Sequence, residues 1–497
     1  MKKLLIAIPL IAIAGGAAAP YVIGSKIETA AKQQVELSNQ QLEKALAANP
    51  QLSKANIELD SYEKGYLGAT AEGKVNFTIN LGLGESKAIT IPFTSEIKHG
   101  PYLGDAGFGA SSIVTRPDFS GFEELPDAID ENTVVINTLV GFSGDVTDKA
   151  VIAPIVFEED GTKFDFAGAT INSVAPNASN RATFTSDATF EAFTITSTES
   201  TDGFTLKPFT LDIESDGESD FSKGTYTAVS SAIEGVIGDN EGSFSLQKLD
   251  LKGGYEQAKG TDIIPLTNAQ IDVENIVFEN QGLPSPIKLP KLSMMSVVEQ
   301  PDGTDFDITA KYAFELDPSV LQLMNSPIDV KTADILVKLN DFPIDVIEAY
   351  QAIVEEMVAT GQADQMPEAI EEKVLSIVQS LVKSASSANI EVNAKATEGD
   401  LAADLDVGFK PGLELSETEL MGLLGAPDPA RLLAILVGRG DVSLGKGVTD
   451  KLGVTPMIQM MAADFVNFDG DTLKSDVKIT DNQLLINGKP LPMMGGM

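Results

Sequence analysis

The sequence predicts an α+β protein, mainly β with helical additions. Its parts are an N-terminal transmembrane helix, a stalk helix, an extended antiparallel β body, and an αα-hairpin with C-terminal helices packed on that body. Three observations predict it. The chain is uncharged from Leu4 to Ser25. Apolar and polar residues then alternate through much of the stretch to residue 340, the pattern of strands covered on one face. Beyond Phe342 the apolar spacing becomes helical.

The first element, residues 1–25, opens with Lys2 and Lys3 before the uncharged run. At 1.5 Å per residue, Leu4–Gly24 would span about 31 Å, close to the thickness of a bilayer's hydrocarbon. Ala17-Ala18-Ala19 offers a small-residue cleavage site, yet Pro20 follows it and the apolar run continues through Tyr21-Val22-Ile23. The expectation is therefore an uncleaved signal anchor, with the inner membrane as partner through residues 4–24 and the lysine pair cytoplasmic. This makes the chain a single-pass protein of the cell inner membrane, with its bulk in the periplasm. Cleavage is the alternative, and would give a secreted surface protein.

Residues 26–50 carry Ile27, Ala31, Val35, Leu42 and Leu46 without internal Gly or Pro, and Pro50 ends them. They read as the stalk helix. In the β body, residues 51–340, Val75, Phe77, Ile79, Leu81 and Leu83 alternate with Asn76, Thr78 and Asn80. Ile89, Ile91 and Phe93 repeat the period, as do Phe209, Leu211 and Ile213, and Tyr312, Phe314 and Leu316. "EEDGTK", "ESDGESD" and "GDNEGS" supply turns. The final part, residues 341–497, begins with two helical stripes, one through Val346, Tyr350 and Val354 and one through Ile370, Val374 and Val378. Ser416 and Glu419 are spaced as a capping box before a further helical pair. "KSDVKITDNQLLINGKPLP" closes as a hairpin.

Composition narrows function more than it names it. With 73 acidic against 35 basic residues the net charge is −38, so phosphate backbones are repelled and nucleic acid is excluded as a partner. There is no cysteine, which removes disulfides, thiolate nucleophiles, Cys-ligated zinc and iron–sulfur clusters. No cofactor motif is present, and none is expected. The acidic clusters at 214–220 and 464–471 do not match a calcium-loop pattern and read as solvated turns. His99, the single histidine, is followed by Gly100 and Pro101, which prescribe a turn, and no neighbouring motif supplies a nucleophile or an orienting acid.

Several stretches carry a resemblance when taken in order: "GSKIE" after the apolar segment, then "SYEKGYLGATAEGKV" with Tyr62 and Gly65. "HGP" at His99, Gly100 and Pro101 follows, and "INGKPLP" comes near the end. Together they resemble the YdgA-like family of Gram-negative envelope proteins, whose domain has no known function. The resemblance implies a membrane-anchored periplasmic protein in which these five residues are structural, with no catalytic or metal site to carry over. The expectation is thus a non-enzymatic envelope protein. An apolar β groove would bind lipid, or the body would act as a scaffold for another envelope protein, the stalk leaving a homo-oligomer open. The alternative from another class is an acid/base hydrolase of envelope polymers using paired carboxylates.

Overall fold

The structure is a computed structural model. It describes residues 35–36, 39 and 52–491, apart from 66, 83–84, 122–125, 127, 178–182, 217–222, 238–241, 260–264, 284, 302, 304, 361–367, 426–428 and 462–464. Among the described residues it forms 28 strands, which pair antiparallel with their neighbours. This corrects the expected architecture of a β body with an anchor and a stalk. The transmembrane helix expected at 1–25 lies outside the described residues. Among the described residues no helix is long and apolar enough to cross a membrane. The longest run 17 residues and carry charged side chains. The reading of the chain as a single-pass inner-membrane protein is corrected accordingly. Most of the expected stalk also lies outside the described residues, but Val35, Glu36 and Asn39 are helical. They do not stand off the strands: Val35 packs on the β core and Asn39 hydrogen-bonds Ile57.

The chain divides into two compact units, Met1–Ser243 with Leu249–Glu256, and Phe244–Lys248 with Gln257–Met497. The first unit opens as a meander of β1 Leu52–Lys64, β2 Gly68–Gly82, β3 Glu85–His99, β4 Ser111–Pro117, β5 Val134–Val140 and β6 Val146–Ile152, each paired with the next. Alternation decides what these strands bury. Val75 lies opposite Ile91 and Phe77 opposite Ile89, and all four sit in one core cluster with Phe93, Val134, Ile136 and Ile152. A second cluster holds Ala71, Ile97, Ile113, Val140 and Val146. Between the two runs a buried polar row. Ser95 bonds Thr115 at 2.9 Å, and Thr138 donates to Asp148 on the next strand.

From β6 to β15 each long strand breaks once. The pieces are β7 Ile155–Glu159, β8 Thr162–Phe166, β9 Ala169–Ala175, β10 Thr183–Phe190, β11 Phe193–Ser197, β12 Gly203–Leu206, β13 Phe209–Asp216, β14 Lys223–Ser230 and β15 Ile233–Ile237. The breaks at 153–154, 167–168, 191–192, 207–208 and 231–232 fall level with one another. Ala167 N–H donates to Ala192 O at 2.9 Å, Glu191 N–H to Gly168 O at 2.9 Å, and Lys207 N–H to Ala232 O at 3.0 Å. Pro154 and Pro208 have no N–H to extend a ladder, and Gly168 takes φ +108°. The result is a crease across successive hairpins. One side of it pairs as β6-β9-β10-β13-β14, the other as β7-β8-β11-β12-β15.

After β16 Gly242–Leu246 and β17 Lys248–Gln257, the second unit is a wider meander of β18 Pro265–Asn280, β19 Ile287–Glu299, β20 Asp305–Glu315, β21 Val330–Pro343, β22 Ser387–Ala396, β23 Leu401–Phe409, β24 Leu436–Gly445 and, past the short β25 Asn467–Asp469, β26 Thr472–Thr480. Each pairs with the next. Its helices fill the connections. At one end lie α1 Pro318–Leu323, between β20 and β21, and α6 Lys446–Lys451 with α7 Thr455–Met461, after β24. At the other end lie α2 Ile344–Thr360 and α3 Glu368–Ser384, between β21 and β22, with α4 Glu417–Gly425 and α5 Pro429–Ile435 between β23 and β24. Ser416 and Glu419 close their capping box at the start of α4: the Ser416 N–H donates to the Glu419 carboxylate at 2.9 Å, and the Glu419 N–H to Ser416 Oγ at 3.4 Å. Leu375, Val382 and Leu420 bury one another beside Phe409, so helical cover gathers at that end of the strands.

Candidate functional site

Residues directly opposite on neighbouring antiparallel strands share a face. In the second unit, Met294 on β19 faces Tyr312, which faces Ile335, then Val392, Ala403 and Val442 on β24. The next rung on the same face reads Ser296, Ala310, Val337, Ile390, Leu405 and Gly440. The rungs beyond, starting at Leu292 and at Val298, are apolar throughout. Across these four rungs the face carries no charge, and Ser296 and Tyr312 are their only residues with polar side-chain atoms.

This face is not buried. Of its residues only Gly440 falls in the buried class, while Tyr312 and Ile390 are each 40% exposed and Leu405 and Val442 37%. The core face of the first unit behaves otherwise, with Val134 at 0% and Ile136 at 1%. Complete burial of a large apolar side chain is worth about 1.5–3 kcal/mol, so covering this face would be strongly favourable. With strands about 4.8 Å apart, β19 to β24 span about 24 Å.

The opposite face is polar. Glu391, Asp404, Asp441 and Asp476 lie directly opposite one another on β22, β23, β24 and β26. They line a cavity of about 350 Å³ together with Asn393 and Lys474. Like charges placed so are mutually unfavourable. Lys338 reaches Glu391 at 3.2 Å, and the Asn389 amide donates to Asp404 at 2.7 Å. Among the described residues no group of acids and histidine is placed to hold a metal ion.

The five motif residues of the sequence come together elsewhere, at one end of β1–β3. Tyr62 packs on the second core cluster of the first unit. Gly65 N–H donates to Gly68 O at 2.8 Å, and His99 N–H to Leu67 O at 3.0 Å. A Cβ at Gly100 would collide with the Gly109 carbonyl oxygen, so only glycine fits. Pro101 follows through a cis peptide bond. Both His99 ring nitrogens are buried without a hydrogen-bond partner. Burial, then the Lys64 charge, lowers the His99 pKa below its ordinary 6.5.

Sequence reasoning reached the residues of the motif corner through the family resemblance. It missed the apolar face and the carboxylate row, whose members are brought together only by strand register.

The family of bacterial proteins of unknown function DUF945 matches residues 1–494, and the chain belongs to it. No curated protein and no solved structure matches the chain.

Proposed function

We propose that this DUF945 protein binds the acyl chains of lipids on the open apolar face of its second unit, without catalysing a reaction. One observation carries the reading: a charge-free face six strands wide is left half exposed. A contiguous apolar area of this kind is normally covered by a partner or a ligand. Its width exceeds the roughly 15 Å that acyl chains occupy in half of a bilayer's hydrocarbon, so one chain fits across it. A second copy is the poorer occupant, because it brings another −38 charges. The likeness to YdgA-like proteins supports a setting in a Gram-negative cell envelope, where acyl lipids are abundant.

The test is extraction and mass analysis of lipid carried by the purified full chain, alone and with Leu405→Arg or Ile390→Glu. Wild type should carry phospholipid or fatty acid, and both variants clearly less at unchanged β content by circular dichroism. Equal lipid in wild type and variants, or none in either, would sink the reading.

A second reading, acid/base hydrolysis, is favoured by the carboxylate row at the polar cavity. It calls for a carboxylic acid with a raised pKa. Asp329 and Asp469, two carboxylates with an altered pKa, are shifted down by hydrogen bonds. Unchanged polymer-cleaving activity in Asp441→Asn would remove this reading.

A further inference from the structure

The end of the second unit formed by α1, α6 and α7 departs from the rest of this acidic chain. Residues 318–328, "PSVLQLMNSPI", contain no charged residue, and neither do residues 452–463, "LGVTPMIQMMAA". These segments hold some of the most exposed large apolar side chains of the unit: Leu323, Met324, Leu452, Met457 and Met460, the last 79% exposed.

The exposure is built in. Thr455 Oγ1 donates to Thr449 Oγ1 at 2.7 Å, with both threonines buried, which fixes the corner between α6 and α7. Gly453 makes that corner at φ +70°. The two segments are also tied together through Glu398. Its carboxylate accepts the Asp329 N–H at 3.0 Å and lies 3.9 Å from Lys451 Nζ. Leu452, Met457 and Met460 therefore point away from a fixed scaffold, on the same end as Leu323 and Met324. The strands of the open face, β19 to β24, run into this end directly.

We propose that the exposed apolar side chains of these two uncharged segments dock on the surface of a zwitterionic phospholipid bilayer. The proposal rests on the lipid-binding reading and adds where the acyl chains enter. The charge distribution favours a bilayer. A chain of net charge −38 is repelled by anionic lipid, and the two segments without charges are the parts of this end that approach a neutral headgroup layer at least cost. Methionine's unbranched, polarizable side chain suits a fluid, irregular acyl boundary.

The chain contains no tryptophan, so one introduced tryptophan reports a single place. Met460→Trp in the full chain should shift its emission to the blue on adding phosphatidylcholine vesicles, and be quenched when the acyl chains carry bromine. Tyr350→Trp, exposed on α2 at the opposite end, should do neither. Adding Leu452→Glu and Met457→Glu to Met460→Trp should abolish the shift at unchanged β content. The proposal is overturned if Met460→Trp does not respond to vesicles, or if Tyr350→Trp is quenched equally. It is also overturned if emission shifts with protein concentration alone, which assigns the tip to a second copy. A tip that fails this test while the Leu405→Arg variant still loses lipid refutes the docking and leaves the binding face standing.

Discussion

Asn39 and Ile57 exchange two hydrogen bonds: Asn39 Nδ2 donates to the Ile57 carbonyl oxygen at 2.8 Å, and the Ile57 N–H donates to Asn39 Oδ1 at 2.6 Å. One side-chain amide thus satisfies both backbone groups that β1 turns away from β2 at this residue. An uncovered strand edge is a template for pairing with another chain.

Asn39→Ala removes both bonds and leaves the Ile57 backbone groups without a partner. The expected cost is about 1–3 kcal/mol, read as a lower urea midpoint. Growth of oligomers by light scattering should accompany it.

Thr138 donates to Asp148 within the buried polar row of the first unit. Thr138→Val keeps the shape and takes the donor away from a buried carboxylate. Destabilisation of about 1.5–3 kcal/mol is expected, and Thr138→Ser should recover most of it. Equal stability of all three proteins by urea titration would contradict the row's structural weight.

His99 and Gly100 are adjacent yet should respond in opposite ways. Gly100→Ala forces a methyl group against the Gly109 carbonyl and should disrupt the corner. His99→Gln should leave the fold intact. The lowered His99 pKa means that the unfolded chain takes up this proton first as pH falls. Stability should therefore drop as pH decreases through about 6.5. The difference between wild type and His99→Gln, measured as urea midpoints from pH 8 to 5, isolates this contribution and should shrink with pH in that direction.

Asp317 caps α1, accepting the Ser319 N–H at 2.9 Å, with Pro318 in the first turn. That hydrogen bond lowers its pKa from the ordinary 3.8. Its stabilising effect is therefore present above that value and lost as pH falls through the lower folded one. Asp317→Ala should cost about 0.5–2 kcal/mol, and Asp317→Asn much less. Amide exchange along 318–323 should quicken in the alanine variant alone.

Local pattern was readable and long-range pairing was not. Val75 and Phe77, alternating with Asn76 and Thr78, lie buried in β2, because a strand's two faces are set by its own sequence. The Ser416–Glu419 cap forms for the same local reason. By contrast, Met294 and Val442 share a rung only through the registers of the strands between them. No period within one segment contains that information. Nor does apolar alternation distinguish the filled core at Val134 from the open face at Ile390, since what covers a face is decided by other parts of the chain. The helical spacing around Val35 and Asn39 was legible, but the docking of these residues on β1 depends on backbone groups that a helical pattern cannot report.

The level breaks at 153–154, 167–168, 191–192, 207–208 and 231–232 restrict how this part of the gene can change length. A single codon gained or lost inside one strand would put its bend out of step with its neighbours and turn every later side chain of that strand to the wrong face. Insertions and deletions are therefore tolerable at the hairpin tips, near residues 160 and 200, and lethal to the fold between tip and bend. Close kin of this protein should differ in loop size while keeping the spacing from each bend to its strand ends constant.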